Sequence, residues 1–442
     1  MSVVTRIPPS PTGRFHIGTA RTALFNYLFA KHEGGTIVYR SEDTDRARSK
    51  PEYEKEIMEG LAWLGISWDA FSRQSEHSAR YRELLEKLVG EGKAYVSAEP
   101  AKDDPAKTVE LVRLKNPGKS VTFTDLVRGD ITFDTTELGD FVIARSIDDA
   151  LYHFAVVVDD MDAGVTHVIR GEDHISNTPR QILIQEALGA PRPAYAHLPL
   201  ILDEKRAKLS KRSGATSVMD YRAEGFLPEA LVNYLALLGW NPGNDREDYS
   251  LAELVEAFTL EGVQKSGAAW SRDKLLSVNQ RWMRTLADAD FIARGGLTAP
   301  DKSMLAKTVP LLKERAQTFA EARTMLAGEL ACLFTAPTPS RETLLAKEPE
   351  GRSVAKTALE GLRKAVEALP GGVSAQVVKD TLMPLADAEE AKGKGGRGAV
   401  LWPLRYALSG QERSPDPFTL IALLGPTEAA SRISNAIAIL EG

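Results

Sequence analysis

Cysteine is all but missing from this chain: Cys332 is the single thiol in 442 residues. One thiol cannot close an internal disulfide or supply a cysteine-cluster zinc site. Long apolar runs are missing too. Runs such as Phe154 to Val158 and Leu235 to Leu238 fall far short of the ~18 residues that a bilayer-spanning helix needs. Met1 to Arg6 leads into a polar, proline-rich stretch with no apolar core of the kind that marks a signal peptide. Nor is there an excess of positive charge, since the formal net charge is −6. Alone, that counts weakly against a polynucleotide partner, which needs clustered Lys and Arg. Local clusters can still build a basic face on an acidic protein. The expectation from these absences is a soluble, cytoplasmic protein that engages no membrane.

What is present is ordinary globular chemistry, 43% hydrophobic and 26% charged, in a length that suggests roughly three domains. Val3 to Ile7 and Thr36 to Arg40 read as strands. Between them, Thr19 to His32 places Ala20, Ala23, Leu24, Tyr27 and Leu28 on one helical face. Strand, glycine-bearing turn, helix, strand is the opening of a doubly wound α/β domain. Further helices are expected from about Glu52 to Leu64 and from Tyr81 to Val89. The polar segment from Lys102 to Thr136, with β-like Ser120 to Phe123, reads as an insertion. Phe154 to Val158 and Thr166 to Arg170 are expected to be strands returning to the parallel sheet. A helix should follow from Asn177 to Leu188, with Pro179 near its first turn. Beyond about Asp301 the pattern is helical, with three- and four-residue apolar spacing over Met304 to Phe334 and Val354 to Leu369.

Four motifs carry chemistry. Pro9 to Thr19 contains His16-Ile17-Gly18-Thr19 at a strand-to-helix turn. Gly18 lets the backbone approach a ligand, and the helix N-terminus that follows favours phosphate. His16 can donate to phosphate oxygens as charge moves in a transition state. The plainer alternative is a proline-rich loop with a helix cap. The second motif, Lys208-Leu209-Ser210-Lys211-Arg212, suits neutralisation of a leaving pyrophosphate, or is merely a solvated basic loop. The third, Arg40 to Arg46, ends a predicted strand, where open α/β sheets bind ligands. Its acidic groups can pair with an ammonium group, or Thr44 or Asp45 can cap a helix. The fourth runs from Tyr152 to Asp160 and resumes at Arg170 to His174. Arginine reads carboxylates best, and Arg6 and Arg170 are candidates for that task; for Arg170 the alternative is a surface ion pair with Glu172.

The first two motifs resemble, in order and in separation, the His-Ile-Gly-His and Lys-Met-Ser-Lys-Ser signatures of class I aminoacyl-tRNA synthetases. The chain as a whole resembles the bacterial glutamyl-tRNA synthetases. The likeness is dense from Thr5 to Trp240, continues through Leu275 to Arg284 and returns at Pro403 to Gly410. It implies that Pro9, Thr12, Gly13, His16, Gly18, Thr19, Lys208, Leu209, Ser210, Lys211 and Arg212 bind ATP, with His16, Lys208 and Lys211 catalytic. It further implies that Ser10 and Glu42 hold the amino group of glutamate, Arg6 and Tyr152 its side-chain carboxylate, and Arg170 its α-carboxylate. Where some relatives carry asparagine, this chain has Val156, which cannot hydrogen-bond. ATP with Mg2+ and tRNA(Glu) are the implied partners of L-glutamate, and the protein is expected to act as a monomer. Adenylate formation is expected to wait for tRNA, and the 2′-hydroxyl of the terminal adenosine then to take the acyl group.

The implied fold is a doubly wound Rossmann-type catalytic domain with an α+β insertion, then a stem-contact region and an all-α anticodon-binding region. The expected boundaries are 1–98 and 149–205 for the catalytic halves and 99–148 for the acceptor-end insertion. The stem-contact domain with the Lys208 to Arg212 loop takes 206–288, and the anticodon region 289–442. The insertion is shorter than usual near Lys102 to Asn116. The zinc site of some bacterial members has no counterpart, because Val96 to Glu99 contains no cysteine, so no zinc or other protein-held metal is expected. By resemblance, Arg315 and Arg405 contact the anticodon. Lys392, Lys394 and Arg397, set among glycines, read either as a basic loop against phosphate or as a solvated linker. The competing readings are a form that also charges tRNA(Gln), a glutaminyl-tRNA synthetase, a tRNA-modifying relative, a small-molecule nucleotidyltransferase and an inactive tRNA-binding paralogue. The first survives easily. The helical tail argues against the next three, and intact His16, Lys208 and Lys211 against the last.

Overall fold

The chain begins as its pattern predicts. β1 (Val4–Ile7) and β2 (Thr36–Ser41) run parallel, joined by α1 (Ile17–His32). α1 is buried on nearly all sides, from Ile17 and Ala20 to Phe25 and Ala30, as a helix enclosed by other elements must be. α2 (Pro51–Trp63) starts on a proline, which costs a helix nothing at its first turn. β3 (Ala70–Arg73) then adds parallel to β2, and α3 (Ser78–Gly90) follows.

This computed structural model describes residues 2–100, 106–203, 205–207, 209, 217–347, 354–391 and 396–441. They form two units, Met1–Asn279 and Gln280–Gly442.

Six strands lie between α3 and the return of the parallel sheet. β4 (Ala94–Pro100), β5 (Thr108–Leu114), β8 (Phe141–Ser146) and β9 (Asp149–Ala150) make an antiparallel sheet. The hairpin β6 (Ser120–Asp125) and β7 (Gly129–Asp134) goes elsewhere. After α4 (Tyr152–Asp162), β10 (His167–Gly171) and α5 (Thr178–Leu188) lead to β11 (Ala194–Leu198), parallel to β10. The hairpin joins that sheet in the order β10-β11-β6-β7, with Asp125 opposite Tyr195. Val4 and Thr166 bridge β1 to the start of β10: the Thr166 amide donates to the Val4 carbonyl at 3.0 Å. The order β3-β2-β1, then β10-β11, therefore reverses direction between β1 and β10. That reversal is the switch point where doubly wound sheets take their ligands.

The expected strand at Phe154 to Val158 is instead the middle of α4. Phe154, Ala155, Val156, Val157 and Val158 are all buried, packed with Leu85 and Leu88 of α3 and Ile182 to Ile184 of α5. A helix enclosed this way needs apolar residues all round, so its run has no period to distinguish it from a buried strand. Tertiary packing here overrides the β preference of valine. The other expected strands and helices before Leu188 form within a few residues of their expected bounds, and Pro179 sits in the first turn of α5.

The remainder of the first unit pairs Ile201–Leu202 with Ala268–Ala269 in parallel. It adds helices at Val218–Ala223, Pro228–Leu237 and Leu251–Ala257; Ser217 and Ser250 each close a capping box on the first and last of these. The second unit is helical among its described residues, from Asp288–Gly295 through Pro426–Glu441. Met304 to Phe334 divides into Lys302–Arg315 and Phe319–Ala327, where Thr318 caps a new helix start, followed by a short 3-10 turn. Among the described residues, no helix is long and apolar enough to cross a membrane.

Candidate active site

The switch point brings two arginines together at the carboxyl ends of their strands. Arg6 is next to last on β1, and Arg170 is next to last on β10. Both are buried. Burying a guanidinium is costly unless its donors are satisfied, and each arginine solves this differently. The Arg6 Nε lies 3.4 Å from both oxygens of Asp160, and Nη1 donates to the Ile169 carbonyl at 3.4 Å. Arg170 meets neutral groups instead. Its Nε donates to His197 Nε2 at 3.2 Å and its Nη2 to Thr178 Oγ1 at 2.8 Å. The surface pair of Arg170 with Glu172 does not form; Glu172 pairs with Arg128. Burial, with the like charge of Arg6, pushes the Arg170 pKa down.

Below Arg6 lies a network that the sequence does not disclose. Arg40 reaches Asp160 at 2.6 Å, Glu42 at 3.1 Å and Asp159 at 3.7 Å. Asp159 in turn accepts from Gln74 and from Tyr81 and meets His77, each at 2.8 Å. Burial works against the Arg40 charge, but the three carboxylates outweigh it and its pKa rises. For Asp160, burial is likewise overcome by Arg40 and Arg6, which hold its carboxyl below the usual range. Burial wins at Glu42, whose pKa rises despite Arg40.

One cavity of about 490 Å³ is lined by Arg6, Pro9, Ser10, His16, Gly18, Thr19, Glu42, Tyr152, Arg170 and Leu209. Arg21, Asp173 and His174 also line it. His16 is the N-cap of α1, and its Nδ1 accepts from the Gly18 amide at 3.0 Å. In a neutral ring that leaves the proton on Nε2, a donor. A Cβ on residue 18 would stand 3.2 Å from that Nδ1, a tight contact that glycine avoids. The cap residue is thus also a wall of the cavity. Tyr152 opens α4, and its hydroxyl lies 3.4 Å from His174 Nδ1. Burial, then Arg170, lower the His174 pKa to about 4, so its ring is neutral at physiological pH.

Not every expected site residue lines this cavity. Thr12 lines a neighbouring one of about 810 Å³, which shares Ser10, Glu42 and Tyr152 with the first. Gly13 lines neither. Lys208, Ser210, Lys211 and Arg212 lie outside the described residues, as do Lys392 and Lys394. The flanks of the first group are described. The Leu209 amide donates to Ile201 at 2.9 Å, Ser217 bridges to His16, and the Val218 amide donates to Phe15 at 2.9 Å. The acidic segment after Arg40 caps no helix, because α2 takes Lys50 as its N-cap and Asp45 bonds Arg48 instead.

In the second unit, Arg315 is exposed and pairs with Glu329 at 3.3 Å. Arg405 lies over the Trp402 ring at 5.2 Å and donates to the Glu412 carbonyl at 2.6 Å. Gln411 donates to the Gly328 carbonyl at 3.2 Å, so the neighbours of both arginines are tied together. Among the described residues, no three His, Cys, Asp or Glu side chains gather as a metal site.

Arg40, Asp159 and Asp160 lie inside the motifs Arg40 to Arg46 and Tyr152 to Asp160, but only the fold brings them together. Asp125 and His197 carried no signal. Arg21 stands among the apolar residues of α1; its buried guanidinium donates to the Leu238 and Pro199 carbonyls and lies near the Phe25 ring, and burial lowers its pKa to about 10.

Comparison with known proteins is consistent along the whole chain. The description "tRNA synthetases class I (E and Q), catalytic domain" matches residues 2–107 and 99–277, and an anticodon binding domain matches 252–437. The glutamate–tRNA ligase 1 of Mesorhizobium japonicum is 41% identical, over 98% of this chain and 99% of its own. That of Aquifex aeolicus is 39% identical over 98% of each. The crystal structure of a glutamate tRNA ligase from Elizabethkingia meningosepticum, in complex with its amino acid, superposes with a TM-score of 0.84 at 30% identity over the full length of both chains.

Proposed function

The chain belongs to the class I tRNA synthetases for glutamate and glutamine, and from that membership we propose how its residues divide the work. The reaction is ATP-dependent attachment of glutamate to tRNA. The α-carboxylate of glutamate attacks the α-phosphorus of ATP, giving glutamyl-AMP and pyrophosphate. A ribose hydroxyl of the 3′-terminal adenosine then takes the acyl group and releases AMP. Neither step needs a protein nucleophile.

In our assignment Arg170 holds the α-carboxylate, Arg6 and Tyr152 the side-chain carboxylate, and Glu42 and Ser10 the ammonium group. His16, through its Nε2–H, and the α1 N-terminus around Gly18 and Thr19 take the phosphates, with Pro9, Thr12 and Gly13 beside the nucleotide. Lys208 and Lys211, supported by Leu209, Ser210 and Arg212, stabilise the leaving pyrophosphate. The observation that carries this reading is the burial of Arg6 and Arg170 at the switch point, in one cavity with His16 and Glu42. Two fixed cations suit a dicarboxylate, and an acidic group beside them suits its ammonium.

The finer reading takes tRNA(Glu) as the tRNA, Mg2+ as part of the ATP substrate, no zinc, a monomer, and the cytoplasm as location. We keep the boundaries 1–98, 99–148, 149–205, 206–288 and 289–442 as functional divisions, with Arg315 and Arg405 at the anticodon. ATP–pyrophosphate exchange tests the assignment, run with glutamate or glutamine and with or without tRNA. Exchange should need glutamate and tRNA together. Exchange with glutamine alone would make the chain a glutaminyl enzyme, and strong exchange without tRNA would remove the tRNA requirement. Charging of purified tRNA(Glu) and tRNA(Gln) decides whether it discriminates between them.

A further inference from the structure

We propose that His197 and Asp125 are positioning residues for Arg170 in glutamate binding, and that through Asp125 the β6–β7 hairpin of the insertion takes part in amino-acid recognition. This rests on the reading that Arg170 holds the α-carboxylate.

The argument starts from how Arg170 is held. Among the described residues no carboxylate lies within ion-pair distance of it. A carboxylate there, like Asp160 beside Arg6, would orient the guanidinium but also offset part of its charge. An imidazole orients it and leaves its charge available. To accept from the Arg170 Nε–H at 3.2 Å, His197 Nε2 must present its lone pair, so the ring proton must sit on Nδ1. Asp125 fixes that tautomer, with Oδ2 2.6 Å from Nδ1. The chain carboxylate–imidazole–guanidinium is buried throughout, and in such a place each bond holds the next in one orientation. Burial lowers the His197 pKa, which keeps the ring neutral and able to accept.

Asp125 ends β6. Its Oδ1 also accepts from the Val127 amide at 3.0 Å and the Arg128 amide at 2.9 Å, and its Oδ2 from the His197 amide at 3.0 Å. The same side chain therefore organises the hairpin turn and sets the imidazole. From the other side, Arg128 of that turn donates to the His197 carbonyl at 3.2 Å and pairs with Glu172, whose second oxygen accepts from the Leu200 amide at 2.8 Å. The insertion hairpin thus closes on the strand end that carries His197, next to the strand that carries Arg170.

The test is glutamate-dependent ATP–pyrophosphate exchange by the full chain with saturating tRNA, comparing Arg170→Ala, His197→Leu, His197→Gln and Asp125→Asn. Arg170→Ala and His197→Leu should raise the KM for glutamate roughly 10- to 100-fold, the loss of a hydrogen bond to a charged group. The KM for ATP should stay within about twofold. His197→Gln, whose amide oxygen can accept near the position of Nε2, should recover part of the loss. Asp125→Asn should raise the glutamate KM less than His197→Leu. A merely structural role would lower the yield or kcat and leave that KM alone. If Arg170→Ala leaves the glutamate KM unchanged, the reading of Arg170 fails. If Arg170→Ala raises it while folded His197 and Asp125 variants do not, the positioning role is overturned. Should His197→Leu not fold, Asp125→Asn, which keeps size and shape, decides alone by the same criterion.

Discussion

The two units bury charge in opposite ways. The first encloses Arg6, Arg21, Arg40, Glu42, Asp125, Asp159, Asp160 and Arg170; the second, among its described residues, encloses Arg432 alone. Arg432 caps carbonyls, donating to Cys332 at 2.7 Å and Leu408 at 2.8 Å, and pairs with Glu428 at 2.8 Å. Its work is to hold chain segments together. In the first unit the buried charges converge on one cavity. An ion pair in the interior is at best a modest source of stability, so so many of them in one place points to preorganisation for a charged ligand. The second unit keeps its candidate recognition arginines, Arg315 and Arg405, nearer the surface, where they can meet a polyanion without first being buried in the fold. Substrate chemistry uses buried, fixed charge; recognition of a large surface can use exposed charge.

Substitutions can break that contrast, and the largest effect is expected at Arg40. Arg40→Met leaves Asp160, Glu42 and Asp159 crowded without their shared cation and should cost ~3–5 kcal/mol of first-unit stability. Denaturant unfolding followed separately for each unit would read it. A loss below ~1 kcal/mol would mean that water already serves the cluster. Arg6→Ala should weaken glutamate binding by ~2–5 kcal/mol, read as KM in exchange assays. Asp160 keeps Arg40, so unfolding should move less than for Arg40→Met. An unchanged KM would show that another cation reads the side chain. Lys211→Ala should slow adenylate formation about 100-fold or more while glutamate binding stays near normal, because that charge acts on the transition state. Near-normal turnover would remove Lys211 from the mechanism.

The second unit should respond more gently. Arg432→Met orphans two buried carbonyls and should cost ~1–3 kcal/mol of stability, with charging per folded molecule unchanged. A fall in specific activity would overturn the view of Arg432 as structural. Smallest of all, Arg315→Ala gives up an exposed pair with Glu329 and should alter stability by about 0–1 kcal/mol. Its signature is instead altered discrimination between tRNAs that differ at an anticodon base, with tRNA-saturated turnover preserved. Equal weakening toward every tRNA would make Arg315 a phosphate contact.

Much of the site was legible because its parts are local. His16 to Thr19 is a strand-to-helix turn whose cap, glycine and dipole all lie within a few residues, and helix α1 begins there. Arg6 could be singled out because the resemblance implies a dicarboxylate substrate, which demands cations. Its partner could not, since Asp160 stands 154 residues away. Nor could the hold of Asp125 on His197, 72 residues apart. Both depend on which strands become neighbours. The helix at Tyr152 to Asp162 reads as a strand for a related reason: an element packed on all sides loses the periodicity that identifies it.

What the sequence determined by itself is therefore whatever adjacent residues settle between them: the opening strand–helix–strand, the caps, the helical second unit, and the residue types that ATP and glutamate require. Only the tertiary structure decided that α4 is a helix, that Arg6 rests on Asp160 and Arg40, and that Arg170 faces the cavity on a neutral imidazole. The physical reason is that a buried charge takes its value from its surroundings. Desolvation and the partner within a few ångströms set whether a guanidinium is neutralised or left available, and those surroundings are assembled by sheet order, which brings β1 beside β10 and β6 beside β11.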